Sequence, residues 1–225
     1  MSGRALTPEI LDILAPGDPR AIHSRRDLVL INAVMRQDAI MAKALSRYPA
    51  PKLLADLGGG DGRFLLAVAK RLNWRDVTIV IADRKPAVSA ATRERFAALG
   101  WRCESLTGDI FETLPGISPD IVTANLFLHH FDDAALRRLL MLAASRTKAF
   151  VACEPRRSAF ALLGARLVFA LGANAVSRHD AVASVKAGFR GTELSALWLE
   201  NYAWRLRERA VFPFTHLFQA DAHAI

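Results

Sequence analysis

The sequence predicts an α/β fold in which helices cover a mostly parallel β-sheet. Short apolar runs alternate with segments of helical periodicity, which is typical of parallel strands joined by helical crossovers. A glycine-rich turn, Gly58–Gly62, follows the first of these runs. Near the end of the chain, two runs separated by Pro213 predict an antiparallel hairpin instead.

The chain begins with helical patterns. The sequence predicts that a helix begins near Thr7, which offers a capping hydroxyl. Pro8 and the acid Glu9 would follow in the first turn. Proline and glycine between residues 16 and 19 end that helix. Apolar residues then recur near helical spacing from about Ser24 to Tyr48, which predicts an amphipathic helix ahead of the sheet.

Five strands and three helices alternate in the central part of the chain. The predicted strands are 53–57, 77–83, one ending near 107, 120–125 and 149–153, and the predicted helices are 63–72, 86–99 and 132–142. In parallel sheets, ligands bind beyond the carboxyl ends of the strands. Asp56, Asp83, Asp109 and Asn125 all fall at such ends.

The segment from Phe160 to Val176 is nearly all apolar, with Arg166 at its centre. A central charge argues against a membrane span. The sequence favours a buried cover helix that also lines an apolar pocket, and a docking contact with a membrane surface is the alternative. A helix at 181–188 and hairpin strands at 204–211 and 215–220 complete the prediction.

Composition indicates one globular domain, with 225 residues, 52% hydrophobic residues and a net charge of +8. The arginines are scattered from Arg4 to Arg209, which favours an ordinary charged surface over a basic face for nucleic acid or anionic lipid. Cys103 and Cys153 are too few for a disulfide framework. Residues 1–6 lack the apolar core of a signal peptide, so we expect a cytoplasmic protein.

The glycine turn lets backbone approach a ligand closely. The dinucleotide fingerprint fails because Arg63 occupies its third glycine position, and Gly62-Arg63-Phe64 lacks the Lys-Ser/Thr ending of a phosphate-binding loop. What stands here is Asp56-x-Gly-x-Gly-x-Gly. It resembles the first motif of class I S-adenosylmethionine (SAM)-dependent methyltransferases.

The resemblance covers about Leu53 to Glu154, because the strand ends at Asp83, Asp109 and Asn125 follow in the family's order. It implies a Rossmann-like class I methyltransferase fold with a seven-stranded sheet, an antiparallel C-terminal hairpin and SAM as cofactor. The cofactor-binding residues it implies are Asp56, Gly58, Gly60, Asp83, Arg84, Asp109, Ile110 and Asn125. Asp83 would accept the ribose hydroxyls and Asp109 the adenine amino group. It also implies a helical lid at residues 1–50, a SAM-binding domain at 51–225 and an apolar, substrate-lining insertion at about 156–190.

Two histidines are candidate catalytic residues. His129 follows the fourth strand, close to the expected methyl donor, and His179 lies in the region where this fold holds its substrate. A neutral imidazole can take a proton from a phenolic hydroxyl. The alternatives are a structural role for one histidine of the His129–His130 pair, and a surface His179 beside an Asp180 that caps a helix.

Two subclasses of methyltransferase, those that act on nucleic-acid bases and those that depend on a metal, are disfavoured. The stretch from Asn125 to Leu128 lacks the prolines of methyltransferases that act on nucleic-acid bases. No set of Asp and Asn ligands follows the fifth strand, so we predict no metal.

The sequence therefore predicts a SAM-dependent methyltransferase for a small apolar or aromatic acceptor, most simply O-methylation of a phenol, quinol or polyketide hydroxyl. Phe127, Phe131, Phe160 and Phe169 favour such an acceptor. The stretch 178–197 also resembles bacterial methyltransferases associated with polyketide and resorcinol-type lipids. C-methylation of a phenolic ring, an RNA-directed methyltransferase and a non-catalytic SAM-binding protein remain the alternatives.

Overall fold

The computed structural model describes residues 3–15, 17–167, 172–198 and 203–223. Within these ranges seven strands form one sheet: β1 (Leu53–Leu57), β2 (Val77–Asp83), β3 (Trp101–Thr107), β4 (Ile121–Asn125), β5 (Ala149–Pro155), β6 (Trp204–Val211) and β7 (Thr215–Ala222). Their order is β3-β2-β1-β4-β5-β7-β6. β1 to β5 run parallel, and β7 pairs antiparallel with both β5 and β6. The predicted fold class and C-terminal hairpin are confirmed.

Helices cover both faces of the sheet. They are α1 (Ile10–Ile13), α2 (Pro19–Met35), α3 (Gln37–Leu45), α4 (Arg63–Ala69), α5 (Ala90–Ala97), α6 (Ile110–Thr113), α7 (Asp133–Ala144), α8 (Ala159–Leu167), α9 (Ala175–Ala187) and α10 (Glu193–Leu197). β5 is buried along its whole length because side chains alternate between two cores. Val151 joins the core under α3 and α4, whereas Phe150 joins the core under α7.

The strand order creates a crevice for a ligand. The chain runs outward from β1 through β2 to β3, then returns to the other side of β1 with β4. The loops that leave β1 and β4 therefore diverge at the carboxyl edge of the sheet, and such a switch point is where doubly wound sheets bind ligands. Gly58 follows β1 at this point, and Asn125 ends β4.

The N-terminal helix predicted from Ser24 to Tyr48 is two helices. The chain breaks at Arg36, which takes a left-handed conformation with φ of 51° between α2 and α3. Apolar periodicity continued through the break and concealed it. The helix predicted from Pro86 likewise begins later, at Ala90, where the Ser89 hydroxyl accepts the Thr92 N–H as an N-cap.

The apolar segment from Phe160 to Val176 is not one helix. Among the described residues α8 ends at Leu167, and α9 begins at Ala175 rather than at the predicted position 181. The Asn174 side chain accepts the Ser177 N–H and fixes this start. The predicted contribution of Phe169 lies outside the described residues. In the part of the chain that the structure describes, no helix combines the length and apolarity that a membrane span requires.

Candidate functional site

The glycine turn after β1 has two distinct kinds of glycine. Gly58 and Gly60 have φ values of 68° and 54°, a left-handed region that side chains disfavour. A Cβ at Gly58 would lie 2.2 Å from the Phe127 ring, so packing excludes a side chain there. A Cβ at Gly60 would meet nothing within 4 Å, so the backbone at Gly60 borders open space. This is the geometry expected of a turn that brings backbone against a ligand.

Asp83 joins the turn to the end of β2. Its Oδ2 accepts the Gly60 N–H at 3.0 Å, and its Oδ1 accepts the Lys85 N–H at 2.8 Å. Each carboxylate oxygen has a second lone pair available for a ligand hydroxyl. Asp83 therefore has the position and the acceptor capacity that the sequence predicted for it.

Asp56 lies beneath the turn rather than facing the open space. Its Oδ1 accepts the Thr123 hydroxyl at 2.7 Å, and its Oδ2 lies 2.7 Å from where a Cβ of Gly59 would stand. Burial raises the pKa of Asp56 to about 7, although the Thr123 hydrogen bond opposes the shift. Asp56 supports the turn from below, and a direct cofactor contact for it stays a prediction.

Arg84 and Asp109 form an ion pair of 3.0 Å between Nη2 and Oδ2 at the rim of the site. Asp109 also caps α6 by accepting the Phe111 N–H. That backbone hydrogen bond, followed by the Arg84 guanidinium, lowers the pKa of Asp109. Ile110 is buried in the core under α7.

At the end of β4, Asn125 carries an unsatisfied polar atom. Its Oδ1 is buried and has no hydrogen-bond partner among the described atoms. An unpaired buried acceptor is costly unless a ligand supplies the donor. Together, the open backbone at Gly60, the Asp83 acceptors and this oxygen fit a ligand with an ammonium group and sugar hydroxyls. The structure thus assembles the predicted cofactor residues along one edge of the sheet.

Three charged side chains, Glu154, His129 and Glu9, contact one another in a row beside this edge. Of the three, the sequence predicted only His129 as a site residue. Glu154, fully buried at the end of β5, accepts the backbone N–H groups of Phe127 and Leu128 at 3.0 and 2.9 Å. Its Oε2 also lies 2.7 Å from Nδ1 of His129. Nε2 of His129 lies 3.4 Å from Oε1 of Glu9. An acid directly after a fully apolar strand was the available signal for Glu154.

The hydrogen bonds and charges within this group of three side chains determine which of them are protonated. Burial lowers the pKa of His129, but its hydrogen bonds to Glu154 and Glu9 outweigh burial and raise the value to about 9. Burial raises the pKa of Glu9, but the hydrogen bond and charge of His129 outweigh that and hold it below its usual value. The pKa of Glu154 is lowered by the same balance. At neutral pH His129 is therefore an imidazolium between two carboxylates.

His130 and His179 differ from His129. His130 is exposed, and its ring lies over that of His129 with centroids 4.3 Å apart. His179 has a side chain that is 44% exposed, with Nδ1 3.0 Å from Asp180. Asp180 does not cap its own helix but lies inside α9, and its carboxylate accepts the first two backbone N–H groups of α1, those of Ile10 and Leu11. This geometry gives no support to a catalytic role for His179, which stays a prediction.

An apolar cavity of about 290 Å³ adjoins the strand ends. Leu126 and Pro155, at the ends of β4 and β5, form its floor. The remaining wall comes from the N-terminal segment, α2, α8, α9 and the hairpin turn, at Glu9, Leu11, Ser24, Ile31, Met35, Ala161, Gly164, Ala165, Leu167, Ser177, Asp180, Ala181, Ser184, Val185 and Phe214. The predicted insertion and lid thus both contribute to its wall.

The aromatic residues around the cavity are only partly those predicted. Phe160 is half exposed and stacks on Phe214, which is the phenylalanine that lines the cavity. A Cβ at Gly164 would lie 2.8 Å from the Phe214 ring, so this helix glycine makes room for it. Phe127 and Phe131 pack edge to face, with centroids 5.1 Å apart, beside the glycine turn.

Among the described residues, the side chains close enough to share a metal ion are Glu9, His129 and His130, whose ligand atoms lie within 4.8 Å of one another. A metal ligand must be an unprotonated imidazole. A metal here would have to displace the proton that His129 holds between Glu9 and Glu154, and the absence of a metal stays a prediction.

Comparisons with known proteins agree with this geometry. Residues 55–159 match a family model described as a methyltransferase domain. A curated relative, the mitomycin biosynthesis 6-O-methyltransferase of Streptomyces lavendulae, is 34% identical over 120 residues, or 52% of this chain and 33% of the relative. The chain thus spans about one third of that protein.

Two solved structures share the fold. A mitomycin 7-O-methyltransferase has a TM-score of 0.64 and 23% identity, with 94% of this chain and 60% of that one covered. A plantazolicin methyltransferase in complex with S-adenosylhomocysteine (SAH) has a TM-score of 0.64 and 12% identity, with 92% of each chain covered. At such identities the likeness shows the fold, which the four sequence motifs had predicted.

Proposed function

We propose that this chain is a SAM-dependent enzyme that methylates a hydroxyl group on a small apolar or aromatic acceptor. The match of residues 55–159 to a methyltransferase family model supports the proposal. The observation that carries the proposal is the junction of two sites. A glycine turn with acidic partners lies at the carboxyl ends of β1 and β2, and an apolar cavity begins at the carboxyl ends of the neighbouring strands β4 and β5. The O-methyltransferase names of its relatives support the reaction type.

The geometry of the carboxyl edge supports the cofactor residues that the family resemblance implies. Asp83 would accept the ribose hydroxyls, Asp109 would accept the adenine amino group, and Asn125 Oδ1 would accept from the ammonium group. The Gly60 backbone borders the space in which such a ligand lies. When bound, SAM supplies a methyl carbon activated by a sulfonium. The protein must then align the acceptor, exclude water and remove a proton.

The acceptor cavity supports an apolar substrate. Its volume of about 290 Å³ is close to the lower bound of small-molecule pockets. Apolar side chains of α8 and α9 supply much of its wall, and Ser24, Ser177 and Ser184 are among its few polar residues. A phenol, quinol or polyketide with a single hydroxyl near the strand ends fits this arrangement.

Calorimetric titration with SAH, with NAD as the control ligand, tests the cofactor site. We expect binding of SAH, no binding of NAD, and at least tenfold weaker SAH binding after Asp83→Ala. Glu94→Ala, an exposed substitution on α5, is the matched control and should bind like the wild type. SAH binding unchanged by Asp83→Ala would refute the assignment of Asp83, and no SAH binding at all would refute the proposed function.

A further inference from the structure

The N-terminal segment, residues 4–11, is anchored so that it holds Glu9 in one place. The Arg4 guanidinium donates to the backbone oxygens of Ala187 and Phe131, at 2.9 and 2.8 Å. The Ala5 N–H donates to the Lys186 oxygen at 3.2 Å. Asp180 accepts both N–H groups that follow Glu9 in the chain. The segment is therefore fastened to α9 on both sides of Glu9.

Glu9 stands between the cavity and His129. Its carboxylate lines the cavity and accepts hydrogen bonds from the Ser184 hydroxyl and from Nε2 of His129. His129 has a side chain that is only 3% exposed, and it is not among the residues that line the cavity. A hydroxyl group in the cavity thus reaches Glu9 before it reaches His129.

The remaining polar groups of the wall are committed elsewhere. The Asp180 carboxylate accepts hydrogen bonds from backbone N–H groups of the N-terminal segment. The Ser184 hydroxyl donates to Glu9, and the Ser24 and Ser177 hydroxyls are paired with each other at 2.9 Å. Both nitrogens of His129 face carboxylates.

On the basis of the proposed function, we propose that Glu9 is the base that takes the proton of the acceptor hydroxyl. His129, held by Glu154, is a positioning residue that keeps the Glu9 carboxylate turned toward the cavity. The charge states agree with these roles, since Glu9 is ionised and His129 already holds its proton at neutral pH.

The step balances without a further reactant. The O–H bond of the acceptor breaks, and its proton passes to a carboxylate oxygen of Glu9. The oxygen's electron pair forms the new bond to the methyl carbon, while the pair of the carbon–sulfur bond leaves with sulfur as a neutral thioether. The positive charge of the sulfonium is thus replaced by the proton on Glu9, which is then released to water.

The same arrangement narrows the acceptor class. Among the described residues, the cavity wall contains two carboxylates, Glu9 and Asp180, and no lysine or arginine. An acceptor that carries its own carboxylate would be repelled, because no cation in the wall offsets that charge. The structure thus favours a neutral hydroxyl on an apolar body over an acidic metabolite.

The test compares Glu9→Gln with the wild type, using 4-ethylphenol and 4-nitrophenol as acceptors at about pH 8. The two phenols are similar in size, but 4-nitrophenol is largely ionised in water and needs no base. Loss of a general base lowers rates by about 10²–10⁴-fold. We expect a loss in that range in kcat/KM for 4-ethylphenol and a much smaller loss, or a gain, for 4-nitrophenol. Glu94→Gln is the control and should match the wild type with both.

Titration of the His129 ring by NMR gives a readout that needs neither SAM nor an acceptor. Glu9→Gln removes one of the two carboxylates beside the ring, so the pKa of His129 should fall. An unchanged pKa would refute the contact on which the proposal stands. Equal rate losses for the two phenols, or no loss, would refute Glu9 as the base. A wild-type protein that binds SAH but methylates neither phenol would instead refute the proposed hydroxyl acceptor, and the base with it.

Discussion

Asp56→Asn should change how the stability of the protein depends on pH. In the folded protein burial raises the pKa of Asp56 from 3.8 to about 7. The folded state therefore holds a proton that the unfolded chain releases, and stability falls as pH rises from about 4 to about 7. A shift of about three units at ~1.4 kcal/mol per unit corresponds to ~4 kcal/mol across that window. Asparagine carries no such proton but keeps an oxygen to accept the Thr123 hydroxyl.

Urea unfolding of both proteins at about pH 5 and about pH 8 measures this effect. The stability of Asp56→Asn relative to the wild type should rise by ~2.5 kcal/mol between the two conditions. His129 has a raised pKa, so its contribution is lost as pH rises from its ordinary value toward about 9, but it is present in both proteins and cancels. A relative stability that is the same at both pH values would show that Asp56 titrates as an ordinary surface acid and would refute the reasoning.

Two further predictions concern the glycine turn and metals. Gly58→Ala combines left-handed strain of about 1–2 kcal/mol with a clash against Phe127 of about 1–3 kcal/mol, and should lower the unfolding midpoint in thermal denaturation. Gly60→Ala carries the strain alone and should leave the fold mostly intact while weakening SAH binding in calorimetry, so equal effects of the two would contradict the distinction between packing and ligand space. Dialysis against EDTA should leave SAH binding and methyl transfer unchanged, whereas a loss that Zn²⁺ restores would assign a metal to the Glu9, His129 and His130 group.

The position of the candidate cofactor residues at one edge of the sheet could be predicted from the sequence because the information for it is local. Each strand, its final acid or amide and the following turn lie within a few residues, and parallel pairing brings the strand ends together without further assumptions. The position of Asp83 at the end of a strand, for example, could be predicted from the β-branched run before it. The role of Asp56 was less accessible, because a strand pattern does not tell whether an acid near its end faces the ligand or the turn.

The proton-handling group could not be predicted in the same way. Glu9 and His129 are 120 residues apart, and they meet only because Arg4 and Asp180 fasten the N-terminal segment to α9. The pattern around Glu9 suggests an acid in a helix's first turn, whereas the helix begins at Ile10 and Glu9 turns its carboxylate to the site. No local signal distinguishes these two positions.

The arrangement of charge along the sheet has a consequence for edge-to-edge pairing of strands. Among the described strands, β3 and β6 form the edges of the sheet, and each pairs with a neighbouring strand on one side. Proteins suppress such growth with charged side chains on edge strands. β6 carries Arg205, Arg207 and Arg209, and only Arg207 has an ion pair with its neighbour in β7 described here, at 2.8 Å to Asp221. Part of the net charge of +8 thus lies on an edge strand, where charge disfavours edge-to-edge pairing of two copies of the sheet.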